Sequence, residues 1–259
     1  MRFRAPARTN VIDIYDDRAS SWWDERDPFF KPLLAMVPAR ESYLDRHNIE
    51  VAGKVVVDVG AGGGYVTELL QKRGALTVGV DVARQALLAG LAHNRACAEL
   101  SDAELAVAEE RRGGASSFVQ ASALRLPLRD GSVDVAVCTD VLVHVPAAVG
   151  GAAACVTEMA RVLRPGGVLW FSTINDGWWA RLVLITLAED LLGFIHKGTH
   201  DPSTFLSPGK MARILDDNGL DLRASEGVGP VGLTLKGGLK MGRLPSRAGM
   251  WQGHAVKIF

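Results

Sequence analysis

Apolar and polar positions fall into blocks along this 259-residue chain. The sharpest are short runs of β-branched and aliphatic residues closed by glycine, aspartate or asparagine. "GKVVVDVGAGGG" (53–64), "ALTVGVD" (75–81), "SSFVQAS" (116–122), "SVDVAVCTD" (132–140) and "VLWFSTIN" (168–175) have the length and composition of buried strands. Between them apolar residues recur every three or four positions. That spacing predicts helices over 65–74, ending at Gly74, over 83–100, and over 147–167, closed by Pro165-Gly166-Gly167. A further helix is expected over 207–220, with Ser207 as N-cap, Pro208 at its first position and Gly219 as C-cap. Upstream, "VIDIYDDRASSWWD" (11–24) reads as an amphipathic helix, and "KPLLAMVPARESYLDRH" (31–47) as a second one, started or broken near Pro38. "SDAELAVAEERRGGA" (101–115) is polar and Gly-ended, as a surface excursion would be. "DLRASEGV" and "MWQGHAVKIF" supply the last two strands.

Strands alternating with helices imply parallel β-α-β units and a doubly wound α/β sheet. Ligands bind such sheets outside the carboxyl ends of the strands. Function is therefore expected near Asp58–Gly64, Asp81, Ser122 and Asp140–His144, each of which follows or ends a strand.

Composition narrows the classes. Hydrophobic residues make up 48% of the chain, enough for a substantial core. Lys+Arg and Asp+Glu both number 29, so no bulk charge draws the protein to nucleic acid. Cys97, Cys138 and Cys155 show no C-x-x-C or metal-ligand spacing and read as reduced, buried thiols of a cytosolic protein. "MRFRAPARTN" lacks the apolar run of a secretory signal, and no apolar stretch is long enough for a membrane span.

"DVGAGGG" (58–64) is the first chemical signal. Glycines there let backbone approach a ligand and take positive φ. Asp81 ends the next strand, 21 residues after Gly60, where an acid accepts hydrogen bonds from ribose hydroxyls. A dinucleotide fingerprint needs a glycine where Tyr65 stands. S-adenosylmethionine carries a sulfonium and an amino group instead of a phosphate, and suits the acid Asp58 before the glycines. The alternative for this stretch is a tight turn with no ligand.

With those residues in register, the chain resembles class I S-adenosylmethionine-dependent methyltransferases. More narrowly it resembles the ubiquinone-biosynthesis O-methyltransferases that act on polyprenylated catechols and demethylubiquinol. "ASSWWDERDPFFKPL", "VPAR", "DVGAGGG", "FSTIN" and "KGTHD" (197–201) carry the resemblance, which runs from about Ala19 to Phe259. It implies a Rossmann-like seven-stranded class I methyltransferase sheet over 48–259, an N-terminal helical cover over 1–47 and an inserted helical lid at about 175–201. It also implies roles. Arg40 would meet the methionine carboxylate of the cofactor, Gly60, Gly62 and Gly64 would line it, and Asp81 would hold the ribose. Ser122 and Ala123 would flank the adenine, with Ser122 standing where many class I enzymes carry an acid. Trp23, Trp178, Trp179 and His200 are candidate substrate contacts, against the plainer reading of Trp23 and its neighbour Trp22 as packing.

"TDVLVHVP" (139–146) is where the chain departs from the family. The corresponding segment reads E-x-x-E-H-V there, and its two glutamates and histidine are associated with magnesium. Here those positions are Asp140, Val143 and His144. Mg²⁺ prefers hard oxygen ligands in octahedral geometry, so one acid and one histidine make a poor site unless waters and a substrate catecholate complete the shell. The leading expectation is His144 as general base or substrate-orienting donor, with Asp140 holding its other nitrogen. A residual metal site on Asp140 and His144 is the second reading. A capping Asp140 beside a packing His144 is the third.

The inserted segment is apolar but carries Arg181, Glu189 and Asp190, too charged to span a bilayer. It reads as a lid over a hydrophobic pocket, with membrane contact through 178–195 as the alternative. His196 and His200 flank Gly198, so a loop is expected there instead of a zinc site. The expected reaction is methyl transfer to a hydroxyl of a hydrophobic phenolic or quinol-like molecule. Carbon methylation of a prenyl or polyketide-like compound, and a non-catalytic cofactor-binding partner in a biosynthetic complex, are the alternatives.

Overall fold

The computed structural model describes residues 13–98, 116–180, 201–234 and 238–259. Among the described residues eight strands form one sheet: β1 (Val55–Val59), β2 (Leu76–Asp81), β3 (Ser116–Gln120), β4 (Val133–Thr139), β5 (Leu163–Ile174), β6 (Leu220–Leu233), β7 (Leu239–Leu244) and β8 (Met250–Lys257). Their spatial order is β3-β2-β1-β4-β5-β8-β6-β7. The first five are parallel, β8 is antiparallel to both β5 and β6, and β7 is antiparallel to β6. The sheet is thus the doubly wound α/β sheet expected, with one strand more than the seven. The addition is β7, which pairs with a β6 that runs on to Leu233.

Both faces are covered, which is why the strands read as nearly continuous apolar runs. Val57, Val59, Ala136, Cys138, Leu169 and Phe171 face one cluster, against α5 (Gly151–Val162) and α6 (Pro208–Asp216). The alternate residues Val56, Val135, Val137 and Trp170 face another, against α2 (Lys31–Arg46) and α3 (Tyr65–Lys72). The other helices longer than a turn among the described residues are α1 (Asp13–Asp17) and α4 (Arg84–Ala98). Cys138 and Cys155 are buried free thiols. Cys97's side chain, the polar stretch 101–115, and residues 181–200 of the insert lie outside the described residues. Among the described residues no helix is long and apolar enough to cross a membrane.

Three local expectations change. The stretch 11–24 is not one helix: α1 stops at Asp17 and a 3-10 turn follows at Ala19–Ser21, swinging Trp22 into the core. α2 runs unbroken through Pro38, its buried face (Met36, Ala39, Arg40, Tyr43, Leu44) packed along its length. α5 ends at Val162 instead of reaching Gly167. Pro165 disfavours helix at the residue before it, Gly166 takes φ +76°, and the chain enters β5 at Leu163. The N-terminus of α6 is as expected, with Ser207 Oγ accepting from Lys210 N at 3.3 Å and Pro208 as the first helical residue, but the helix ends at Asp216 with Asp217 as its C-cap, and Gly219, expected there, takes φ +66° two residues later.

Candidate functional site

A cavity of about 270 Å³ lies at the carboxyl ends of β1, β2, β3 and β4. Each strand hands one segment to its wall. β1 supplies Asp58 and the turn Gly60–Gly62, β2 supplies Asp81, β3 leads into Ser122 and Ala123, and β4 into Asp140 and His144. α2 adds Arg40.

The glycine turn is held to β2 by Gly60 N and Ala61 N, which donate to Val80 O at 2.7 and 3.1 Å. Gly60 has φ +77°, and a Cβ there would overlap Val141 Cγ2. Gly62 has φ +52°, and a Cβ there would overlap the Trp22 ring. Both positions need glycine for conformation and for room. Gly64 acts behind the turn: it caps α3 at φ +93°, and a Cβ would crowd Phe118.

Asp81 accepts from Gly62 N and Ala83 N, both at 2.8 Å, one on each oxygen. A carboxylate oxygen has a second lone pair, so both can still receive a hydroxyl. Burial raises the Asp81 pKa, and those backbone donors oppose the shift. Asp58 is 1% exposed and accepts from Thr67 Oγ1 at 2.7 Å. Burial pushes its carboxyl up to about 6, against the pull of Thr67 and Arg40.

Arg40 is buried and ion-paired with Asp140 through Nη2 and Oδ2. Asp140 takes φ +62°, a left-handed conformation that aspartate tolerates better than most residues. It is fixed there by Ser172: Asp140 N donates to Ser172 Oγ at 3.0 Å, and Ser172 Oγ donates to Asp140 Oδ1 at 2.6 Å. Both carboxylate oxygens therefore serve Arg40 and Ser172, and Asp140 acts first as the anchor of the arginine. His144 closes the 3-10 turn Leu142–His144 and lines the cavity, its ring edge-on to Tyr15 at 6.0 Å between centroids.

Val143 turns away from the cavity. It is fully buried beside Ile174, Ala180 and Phe205. The position that carries a second carboxylate in the resembled pattern is here part of an apolar cluster. Among the described residues no group of three or more His, Cys, Asp or Glu could hold a metal ion. With Val143 packed away and Asp140 engaged, the donor set does not fit a divalent cation.

The residues do fit S-adenosylmethionine. Two buried donors on the wall, Arg40 Nε and Trp22 Nε1, have no hydrogen-bond partner among the described residues. The first suits a carboxylate, the glycine turn leaves a cradle that side chains would fill, and Asp81 keeps acceptor capacity for hydroxyls.

The remaining candidates are placed differently. Trp23 stacks flat on His93, 3.5 Å between centroids, and donates Nε1 to Gly63 O at 3.0 Å. Trp178 starts a helical turn (Trp178–Ala180) and is 75% exposed. The side chain of Trp179, and His200 entirely, lie outside the described residues. Sequence reasoning missed Tyr15 and Trp22, which form part of the wall. Tyr15 sits on α1, with Asp140 and Asp81 near its hydroxyl; burial first, then those acids, raise its pKa. α1 is tied down by Asp16, whose Oδ1 accepts from Gln85 N at 2.6 Å at the start of α4. In "SSWWD" nothing local distinguishes the tryptophan that faces the cavity from the one that stacks outside it.

Comparison with known proteins identifies the family and the fold. A family model described as a methyltransferase domain matches residues 57–171. A ubiquinone biosynthesis O-methyltransferase from Methylococcus capsulatus is 37% identical over 218 residues, covering 84% of each chain. One of the same name from Chromobacterium violaceum is 35% identical over 84% of this chain and 85% of its own. In structure, the magnesium protoporphyrin IX methyltransferase of Synechocystis, solved with bound S-adenosylhomocysteine, superposes with TM-score 0.63 at 17% identity, covering 96% of this chain and 95% of that one. A methyltransferase from Methanosarcina mazei gives TM-score 0.59 at 20% identity, covering 83% and 97%. These structural likenesses concern the fold.

Proposed function

The chain belongs to the S-adenosylmethionine-dependent methyltransferases, within the ubiquinone biosynthesis O-methyltransferase family, and on that premise we propose that it methylates a hydroxyl of a hydrophobic phenolic or quinol-like small molecule. One observation carries the reading. Arg40, Asp58, Gly60, Gly62, Asp81 and His144 line a single cavity at the carboxyl edge of the parallel strands.

Bound there, S-adenosylmethionine supplies a methyl group already activated by its sulfonium. This chain's residues do the rest. Arg40, anchored by Asp140, receives the cofactor's carboxylate, and Asp81 the ribose hydroxyls. Ser122 and Ala123 flank the adenine. Tyr15 and Trp22 roof the cavity and keep water out. Alignment of the reacting groups can supply ~7–11 kcal/mol. A free phenol with pKa about 10 must lose a proton, which at pH 7 costs ~4 kcal/mol. His144 is the base in reach of the cavity, and accepting that proton offsets the cost.

The test is a methyl-transfer assay with labelled cofactor across catechols and quinols of increasing chain length. Oxygen-linked label in the product supports the reading; carbon-linked label, or none, defeats it. His144→Ala should lower kcat by ~10²–10⁴-fold while leaving S-adenosylhomocysteine affinity within about threefold. Unchanged turnover would remove the base.

A further inference from the structure

Three elements meet at Asp140. β4 ends at Thr139, whose register partner on β5 is Ser172. Asp140 comes next and turns left-handed, at φ +62°. Its carboxylate reaches Arg40 on α2, 100 residues earlier in the chain. Asp140 N lies 3.3 Å from Ser172 O and 3.0 Å from Ser172 Oγ. The carbonyl therefore serves that backbone donor even without the hydroxyl. The hydroxyl's own proton goes to Asp140 Oδ1, at 2.6 Å, so what the side chain of Ser172 adds is a grip on the carboxylate.

An aspartate carboxylate turns easily about its last torsion, which is broad and roughly two-fold. Held by Arg40 at Oδ2 alone, the group would swing and draw the guanidinium with it. Ser172 pins the other oxygen, and the plane of the carboxylate is then set from the sheet. Ser172 is buried in β5 and paired on both sides, with Thr139 of β4 and Gln252 of β8, so it is a firm point to hold from. The consequence falls on Arg40. Its Nη2 is drawn to Asp140, and its buried Nε has no partner among the described residues. That nitrogen is left for an anion in the cavity. Arginine loses least on binding a carboxylate when its planar fork is already oriented.

We propose that Ser172 is a positioning residue for cofactor recognition: acting through Asp140, it orients the Arg40 guanidinium toward the carboxylate of S-adenosylmethionine. The proposal rests on the reading of Arg40 as the receiver of that carboxylate. Ser172 does not itself line the cavity, whereas Asp140 and Arg40 do. The next residue on β5 supplies the contrast. Thr173 is also fully buried, and its Oγ1 has no partner among the described residues. Burial on β5 does not by itself engage a hydroxyl; that of Ser172 is engaged because Asp140 presents a carboxylate to it.

The test is binding by calorimetry with two ligands, read without turnover. S-adenosylhomocysteine carries the carboxylate. 5′-Methylthioadenosine keeps the adenosine and the sulfur but lacks the amino-acid carboxylate and amine. Ser172→Ala should weaken S-adenosylhomocysteine about three- to tenfold, a share of what a hydrogen bond to a charged group contributes, and leave 5′-methylthioadenosine within about twofold. Thr173→Val should change neither. In the Arg40→Met background, Ser172→Ala should cost nothing further, since its effect passes through that guanidinium. Ser172→Cys, a weak donor in nearly the same space, carries the same comparison if the alanine variant does not fold. Unchanged S-adenosylhomocysteine affinity overturns the proposal. So does an equal loss for both ligands, which marks a merely structural hydroxyl, or the same loss with Arg40 already gone. If Arg40→Met itself leaves the preference for S-adenosylhomocysteine over 5′-methylthioadenosine intact, the carboxylate reading falls and the proposal falls with it.

Discussion

Gly60→Ala meets two penalties that a second substitution can separate. At φ +77° an alanine sits in the left-handed region, costing ~1–2 kcal/mol. Its methyl would also overlap Val141 Cγ2, and overpacking of that kind costs ~1–3 kcal/mol. Together they predict a loss of about 2–5 kcal/mol, large against a typical total stability of ~5–15 kcal/mol. Val141→Ala removes both Cγ atoms. What remains is Val141 Cβ, 3.1 Å from the new methyl, a contact that needs a shift of only a few tenths of an ångström. Alone, Val141→Ala should cost about 1 kcal/mol, since the residue is half-buried. The double variant should therefore be more stable than the sum of the single losses predicts, by ~1–3 kcal/mol, while still bearing the φ penalty. Urea unfolding followed by tryptophan fluorescence measures all four proteins. Additivity within about 0.5 kcal/mol would mean that Val141 does not feel the added methyl, and the close approach of turn and β4 loop would be refuted.

Arg40→Met should weaken S-adenosylhomocysteine binding at least tenfold by calorimetry, having lost a charge-assisted contact, and should leave Asp140 buried without its cation; unchanged affinity would remove Arg40 from the cofactor site. Chelator treatment, then added Mg²⁺ or Zn²⁺, should leave turnover unchanged, because Val143 is packed in an apolar cluster and Asp140 is engaged; restored activity with metal would contradict that. Two buried groups should pull stability in opposite directions with pH. Burial holds His254 at about 4, so its contribution is full above about 6.5 and is lost as pH falls through 4. Asp58, raised to about 6, contributes fully below 3.8, and that share is lost as pH rises through 6. Between pH 4 and 6, Asp58→Asn should therefore make the stability profile rise more steeply with pH than wild type, and His254→Gln should make it rise less or fall. Profiles parallel to wild type would refute the shifts.

The parallel half of the sheet was legible because its strands are buried on both faces. Such strands must be apolar at nearly every position, as "VVVDV" and "VDVAVCT" are, and their polar exits mark the ligand edge. β7 was not legible, because "LKMGRL" lies at the sheet edge with little of it buried and so carries no core pattern. The site divides in the same way. Asp58 and Asp81 lie at the ends of β1 and β2, Gly60, Gly62 and Asp140 just beyond strands, and position alone brings them together. Arg40 comes from a helix and was recognisable only through resemblance. Tyr15 and Trp22 come from a segment whose turn at Ala19–Ser21 depends on its docking against Phe30 and Tyr65, a tertiary contact that no local spacing encodes. The partner expected for Asp140 also changed: the left-handed backbone at that residue aims its carboxylate at Arg40 and Ser172.

If Tyr15 roofs the bound cofactor, the tether of α1 bears on timing as well as position. Tyr15 lines the cavity with its ring against Trp22 and Phe29, and the neighbouring Asp16 accepts the Gln85 N–H at the first turn of α4. A carboxylate bound to helix-end amides is worth ~0.5–2 kcal/mol. Were spent cofactor to leave beneath Tyr15, it would have to wait for the Asp16–Gln85 contact to break. Cutting the tether with Asp16→Ala would then quicken product exchange and admit water in the same stroke, so that turnover and leakage become coupled through a single side chain outside the chemistry.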